Sequence, residues 1–444
     1  MNIENSYIDI YKNYKDVLFA NSPEVLNAKR EDAYNAFVKL GFPAGGENYK
    51  RTNAQACYAV DYGMNLNRFS IKEDPSKTFH CGVQGINSYI YYVVNDVYFG
   101  ATENNLPEGV IIGSLNQVAR QYPDLIAKYY GKTIDVNQDG NWAFNQMFAQ
   151  DGLFLYVPKN VHIDRPIQLV NIMTSQKPLM AISHNLIIVE ENAKAQILVC
   201  DHTDQNIQFL SNRVTEVFVA ENAIYEHYKV ENTYEKMTNF STLNIQQQSS
   251  SSVLSNIITL NNGITRNNVN INIDGEHAET ILAGLVIGDK EQKIDNQTFI
   301  NHIKPNSKSN ETFKYILDDS SVGAFSGLIL VNKDAQKTVS KQSNRNICLT
   351  DKARMYSKPQ LEIYADDVKC GHGSTMGQLD DTAMFYLRSR GISQKEAQLL
   401  LMSAFVSDVI DNIKVDALKD RVRMLVEMRL RRELSVCSSC SVCK

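Results

Sequence analysis

The chain has little charge imbalance to offer a partner. Its 444 residues carry 45 Lys and Arg against 50 Asp and Glu, a formal net charge of −5, with a pI near 6.0. That excludes a strong general pull toward nucleic acid or an anionic membrane. Long apolar runs are missing too. The longest, residues 399–406, is interrupted by Ser403 and falls far short of the roughly 20 residues that cross a bilayer as a helix. The opening MNIENSYIDI lacks the basic start and apolar centre of an export signal, so a cytoplasmic protein is expected. In that setting the eight cysteines are expected to be free thiols or ligands, not a disulfide framework. No G-x-x-x-x-G-K-[ST] loop occurs, so the chain has no P-loop with which to hold ATP.

What is present is an ordinary composition, 43% hydrophobic and 21% charged, on a chain long enough for more than one structural unit. Residues 1–151 read as a mixed, mainly helical domain. Ser22 is placed to cap a helix with Pro23 in its first turn and Gly41 closing it. Val25, Leu26, Ala33, Phe37 and Leu40 supply its apolar face. Residues 90–94 and 97–99, joined by Asn95-Asp96, read as a hairpin, and a further helix runs from Pro123 to before Gly131. Asp135, Asn137, Asp139 and Gly140 match the front of a calcium loop, but its twelfth position is Gln146, which cannot give a bidentate carboxylate. A polar turn ahead of a short helix around Trp142 and Phe144 is the expectation there.

Between residues 152 and 360 the pattern changes to short apolar stretches separated by polar turns. Leu186 to Val189 leads into Glu191-Asn192-Ala193, and thirty residues later Val217 to Val219 leads into Glu221-Asn222-Ala223. Leu328 to Val331 leads into the similar Lys333-Asp334-Ala335. Short strands, recurring turns and asparagine-rich outer positions fit a β-solenoid or a sandwich. The low-complexity run 246–252 sits between apolar strands and reads as a polar surface turn. Histidines 184, 202, 227, 277 and 302 have no ligand spacing and read as structural or solvent-facing. After residue 373 the chain turns helical. Ser393 with Glu396 forms a possible capping box before Ala397, Leu400, Leu401, Ala404, Phe405 and Val409. A last helix carries Leu418, Val422, Leu425 and Val426 on one face and ends in Arg429, Arg431 and Arg432. Residues 435–444 are a cysteine-rich tail. Cys437, Cys440 and Cys443 have the C-x2-C-x2-C spacing of iron–sulfur ligands but no fourth cysteine, so a metal site and a thiol tail both stay open.

The most informative stretch is residues 359–392, PQLEIYADDVKCGHGSTMGQLDDTAMFYLRSRGI. Leu361, Ile363 and Ala365 alternate as in a strand. Cys370 and His372 then bring a thiol and an imidazole two residues apart, with glycine on both sides of the histidine, in what reads as a turn. Met384, Phe385 and Leu387 follow at core-facing helical spacing, and Gly391 stands where a left-handed cap belongs. LEIYADDVKCGHGSTMGQLD followed by FYLRSRGI resembles the SufD subunit family of the SUF iron–sulfur cluster assembly scaffold. The paralogous SufB subunit usually carries E-H-E-A where this chain has Gly371-His372-Gly373-Ser374.

The resemblance implies a mainly β protein: a right-handed parallel β-helix core, residues 152–373, between the N-terminal domain and a C-terminal helical domain, residues 374–434. It implies a non-catalytic scaffold that pairs with a SufB-like subunit and binds a SufC-like ATPase through its C-terminal helices. Alone, such a chain is a candidate homodimer. His372 and Cys370 match the histidine and cysteine of the family's K-C-x-H-G motif and are the implied cluster-assembly site. No cofactor is held stably by one chain; the cluster is transient and belongs to the complex. Two other readings stand beside this one. The chain could be the SufB-type subunit. It could also be a polysaccharide-active β-helix enzyme using Asp318-Asp319 or Asp366-Asp367, although adjacent carboxylates on a strand point to opposite faces.

Overall fold

Strands of about ten residues, recurring once per turn, build the middle of the molecule. The computed structural model describes residues 3–69, 75, 86–101, 105–203 and 207–433; Cys437, Cys440 and Cys443 lie outside them. From Leu153–Val157 to Lys369–Gly377, successive strands fall alternately into two sheets, and each pairs in parallel with the strand one turn earlier. The result is a two-sheet parallel β-solenoid. Its turns need a residue in the left-handed region, which asparagine tolerates better than most. Asn192 and Asn222 each have φ 58, and Asn306 has φ 62. The alanine that follows in the repeated turns, Ala193, Ala223 or Ala335, is buried, since only a small side chain fits inside the corner.

Inside, equivalent residues stack. Ile187, Val217, Ile245, Ile271, Ile300, Ile329 and Leu361 are register partners in one continuous column of the first sheet. Such a ladder is dry and close-packed, so truncating Ile271 to Ala should cost about 3 kcal/mol.

Antiparallel strands blunt the N-terminal end of the stack. Tyr89–Val94 and Val97–Ala101 form the expected hairpin, with Asn95 and Asp96 at φ 46 and 67, the signature of a primed two-residue turn. Ile111–Ser114 runs antiparallel to Leu153–Val157. The N-terminal helices bring Tyr7, Phe37, Phe42, Tyr58 and Phe144 together on the outer face of the first sheet, over Met180, Ile182, Leu210 and Phe240. The helix expected from Pro23 to Gly41 is broken into Glu24–Asn27 and Arg30–Leu40. Ser22 does not cap it. Its hydroxyl accepts from the buried Arg30 guanidinium, which also donates to the carbonyls of Met147 and Ala149. Leu40 is exposed, not part of an apolar face. In the calcium-like loop, Asp139 caps the helix Gly140–Phe148 and accepts from Tyr49, while Gln146 donates to Tyr130. These groups serve the fold.

The helices Gln394–Asp411 and Asp416–Leu430 cover the outer face of the second sheet, burying Leu399, Met402, Val406 and Val422 against Leu254, Ile258, Leu285 and Ile316. Polar latches fix them. Lys314 reaches the Phe405 carbonyl at 2.6 Å and Asp408 at 2.7 Å, Asn256 donates to the Val409 carbonyl, and Arg429 forms a bidentate pair with Asp289. Ser393 caps as expected, accepting from the Glu396 amide, but the Glu396 carboxylate pairs with Arg431 instead of completing the box. Of the apolar face expected there, Ala397 and Val409 are buried and Phe405 packs at the margin, whereas Leu400 and Ala404 are exposed. Within the helix Asp381–Ser389 no side chain is buried, and Phe385 is 75% exposed, contrary to its core-facing spacing.

Candidate functional site

Among the described residues the solenoid ends in two strands with a neighbour on one side only. Arg354–Ile363 pairs with Val322–Val331, and Lys369–Gly377 pairs with Val339–Cys348. Cys370, Gly371, His372 and Gly373 therefore belong to the last strand, not to a turn, and the solenoid runs past Gly373 to Gly377. The glycine-rich sequence hid the strand because glycine weakens strand propensity.

Strand alternation assigns the faces. Cys370 lies beside Ser340, His372 beside Gln342, Ser374 beside Asn344, and Met376 beside Asn346. All four neighbours are buried, so these are inward columns whose last members look out of the open end. Met376 is 65% exposed for that reason. Gly371 and Gly373 alternate to the outer face, where a Cβ would meet nothing within 4 Å. Ser357 bridges the mouth, bonding Ser374 Oγ at 2.7 Å and Asn344 Oδ1 at 2.6 Å. Exposed Ile363 and Tyr364 give the rim an apolar edge. Lys358 pairs with Glu47, and Arg51 stacks 3.3 Å over Tyr356, tying the rim to the N-terminal domain.

The two sequence-predicted donors differ in environment. Cys370 is half-buried against the interior cluster, with Sγ 3.9 Å from the Thr338 carbonyl. Burial pushes its thiol up, partly opposed by the Ser340 backbone, which disfavours the thiolate. His372 is exposed at the mouth, and a neutral imidazole there can ligate a metal. Together they supply two donors on one strand face; an iron–sulfur cluster takes four. Among the described residues no group of three or more His, Cys, Asp or Glu side chains converges on a metal position.

Beneath the mouth the columns become polar. Residues stacked toward Cys370 are Thr280, Ser309 and Ser340; those toward His372 are Leu282, Glu311 and Gln342. Glu311 is fully buried, and burial pushes its carboxyl up to about 7 against the pull of its hydrogen bonds. Gln342 Nε2 donates to it at 2.7 Å. Sequence reading missed both. The available signal was the turn length: Gln342 stands 31 residues beyond Glu311, close to the thirty that separate Glu191 from Glu221. The acid pair Asp318-Asp319 forms no dyad; both residues accept from Arg432. Of the scattered histidines, 184, 202, 227 and 302 are buried and 277 is exposed on a turn.

Known sequences agree with this architecture. Residues 1–169 match the SufBD protein N-terminal region, and residues 171–405 match the SufBD core domain of SUF system FeS cluster assembly. An iron–sulfur cluster assembly SufBD family protein from Synechocystis is 30% identical over 420 residues, covering 91% of both chains. The SufD protein of Escherichia coli is 34% identical over 212 residues, covering 48% of this chain and 50% of its own. SufD of Bacillus subtilis is 27% identical over 329 residues, covering 73% and 75%. A strand-paired solenoid together with family matches over residues 1–169 and 171–405 leads to one assignment: the chain belongs to the SufBD family of iron–sulfur cluster assembly proteins.

Proposed function

We propose that the chain is a SufD-like scaffold subunit that presents Cys370 and His372 to a SufB-like partner across the open end of its solenoid. The observation that carries this reading is the terminal strand itself. It offers an unpaired backbone edge and an inward-facing thiol and imidazole at the same place. An unpaired edge is a ready template for another chain, and two donors need a second subunit to complete a cluster site. Glycine at 371 and 373 lets a partner backbone approach the outer face. The cluster is cargo of the complex, and the chain acts as a scaffold, not as a catalyst. Its cysteines 57, 200, 348 and 370 are free, which suits the reducing cytoplasm. When the partner is absent, the same edge serves a second copy of the chain.

The ATPase would dock on the C-terminal helices. Phe385, Tyr386 and Leu400 are exposed there, as apolar anchors of an interface are before binding. The decisive test is His372→Ala in the reconstituted three-component complex. Assembly should be intact and cluster formation, read by absorption and by iron and sulfide content, should fail. Normal cluster yield from an intact complex refutes the role of His372. Cys370→Ala should do less harm, because its thiol also packs against the interior.

A further inference from the structure

Two buried groups directly below His372 have no part in the reading so far. Gln342 and Glu311 occupy the same inward column, one and two turns beneath the histidine. Both are essentially buried, at 1% and 0% exposure. Gln342 Nε2 donates to Glu311 Oε2 and Thr298 also pulls on the Glu311 carboxyl, yet Gln342 Oε1 has no partner. An unpartnered buried oxygen costs about 1–3 kcal/mol, so a fold that keeps one uses it or fills it with water. Space has been cleared for the amide. A Cβ on Gly327, across the interior, would lie 2.4 Å from Gln342 Nε2, 2.7 Å from Phe325 and 2.8 Å from Thr298 Oγ1. The next strand outward is roughly 4.8 Å away, and the residue it places over Gln342 is His372.

We propose that Gln342, oriented by Glu311, is the positioning residue for His372: its Oε1 accepts a hydrogen bond from one imidazole N–H and leaves the other ring nitrogen unprotonated and turned out of the mouth. This rests on the reading of His372 as the mouth's ligand. An ionised carboxylate can only accept. Glu311 therefore holds the amide with its NH2 group inward, and the amide oxygen is the atom left for the terminal strand. The ring nitrogen that a metal uses is set by the hydrogen bond the other nitrogen makes. The pair acts through the histidine and does not itself touch the cluster.

The test uses the full chain with 15N-labelled histidine at pH 8, where Glu311 is mostly ionised. Comparison with His372→Ala identifies the His372 signals. Wild type should show one dominant tautomer. Gln342→Met and Glu311→Gln, with folding checked by circular dichroism, should show a mixture. Cluster yield from the variant complexes should fall roughly tenfold or more, the size seen when a ligand's outer partner is lost. A wild-type ring that already samples both tautomers freely overturns the proposal, whether or not the variants fold. So does a folded variant with the wild-type tautomer. If His372→Ala leaves cluster formation untouched while the tautomer still depends on Gln342, the ligand role fails and the positioning contact stands. If His372→Ala abolishes clusters and the tautomer ignores Gln342 and Glu311, only the positioning role is lost.

Discussion

Burial moves the titrating groups of the solenoid interior in opposite directions, and pH separates them. Glu311 is pushed up to about 7 from an ordinary 4.5, chiefly by burial. The folded chain therefore holds a proton that the unfolded chain has released, and the difference costs stability progressively as pH rises from 4.5 through 7. Glu311→Gln removes that cost. Relative to wild type it should gain on the order of 3 kcal/mol between pH 4.5 and pH 8. Denaturant midpoints of the two proteins at both pH values check this. His227 and His302 are held down to about 3 and about 4 by burial, His302 between the hydroxyls of Ser307 and Ser309. Here the unfolded chain takes up protons near 6.5 and the folded chain does not, so stability is lost as pH falls from 6.5 toward 4. His302→Gln should flatten that part of the profile, read as melting temperature against pH. The sequence singled out Cys370 and His372 as candidates, through their spacing beside glycine and the resemblance to the K-C-x-H-G motif. It did not expose Gln342 and Glu311. Their relation to His372 depends on a turn length that varies from rung to rung, and both residue types are common on surfaces.

At the scale of elements, the helix Gln394–Asp411 is instructive because it is apolar on more than one side. The sequence made the helix itself legible through Ser393, which caps it, and Gly391, whose φ of 87 ends the preceding one. Which stripe is buried was only partly legible: Ala397 and Val409 are buried as expected, but Leu399, Met402 and Val406 fill the interface in place of Leu400, Leu401 and Ala404, and Lys314 latches the helix there. Two substitutions separate the faces. Met402→Ala, on the buried face, should lower stability by about 3 kcal/mol and leave ATPase capture intact at low temperature. Leu400→Asp, on the exposed face, should leave the melting temperature within about 1 °C and weaken ATPase capture at least tenfold in a pull-down titration. Equal capture by wild type and Leu400→Asp would move the docking surface elsewhere. Deleting everything after residue 374 is a poorer test. It cuts through the strand Lys369–Gly377 and uncovers Leu254, Ile258, Leu285 and Ile316, so loss of folding would imitate loss of binding.

The whole molecule was legible as a class: short strands, turns near a thirty-residue spacing, and helices at either end. Its last rung was not, because Cys370 to Gly373 lack the β-branched residues that announce a strand. That rung can be tested through its hydrogen bonds. Lys369 N–H donates to Thr338 O, and alternate residues of a parallel strand face alternate neighbours, so residues 370, 372, 374 and 376 aim their amides at the open side. Ser374→Pro removes one outward donor without removing an inward ladder bond. It should leave the solenoid folded and weaken pairing through this edge, measured by sedimentation of the chain alone and with the SufB-like partner proposed for it.

The unequal ends of the stack also fix how far such pairing can go. One end stops in short antiparallel strands, the five-residue Val97–Ala101 and the four-residue Ile111–Ser114, while the other presents two long parallel strands with a free side. An object with one adhesive end and one dull end cannot polymerise through that contact. Once two adhesive ends have met, neither chain has one left, whatever the concentration. The contact proposed here would therefore be self-terminating, like a pair of cupped hands, with the inward-facing columns of both chains turned toward each other.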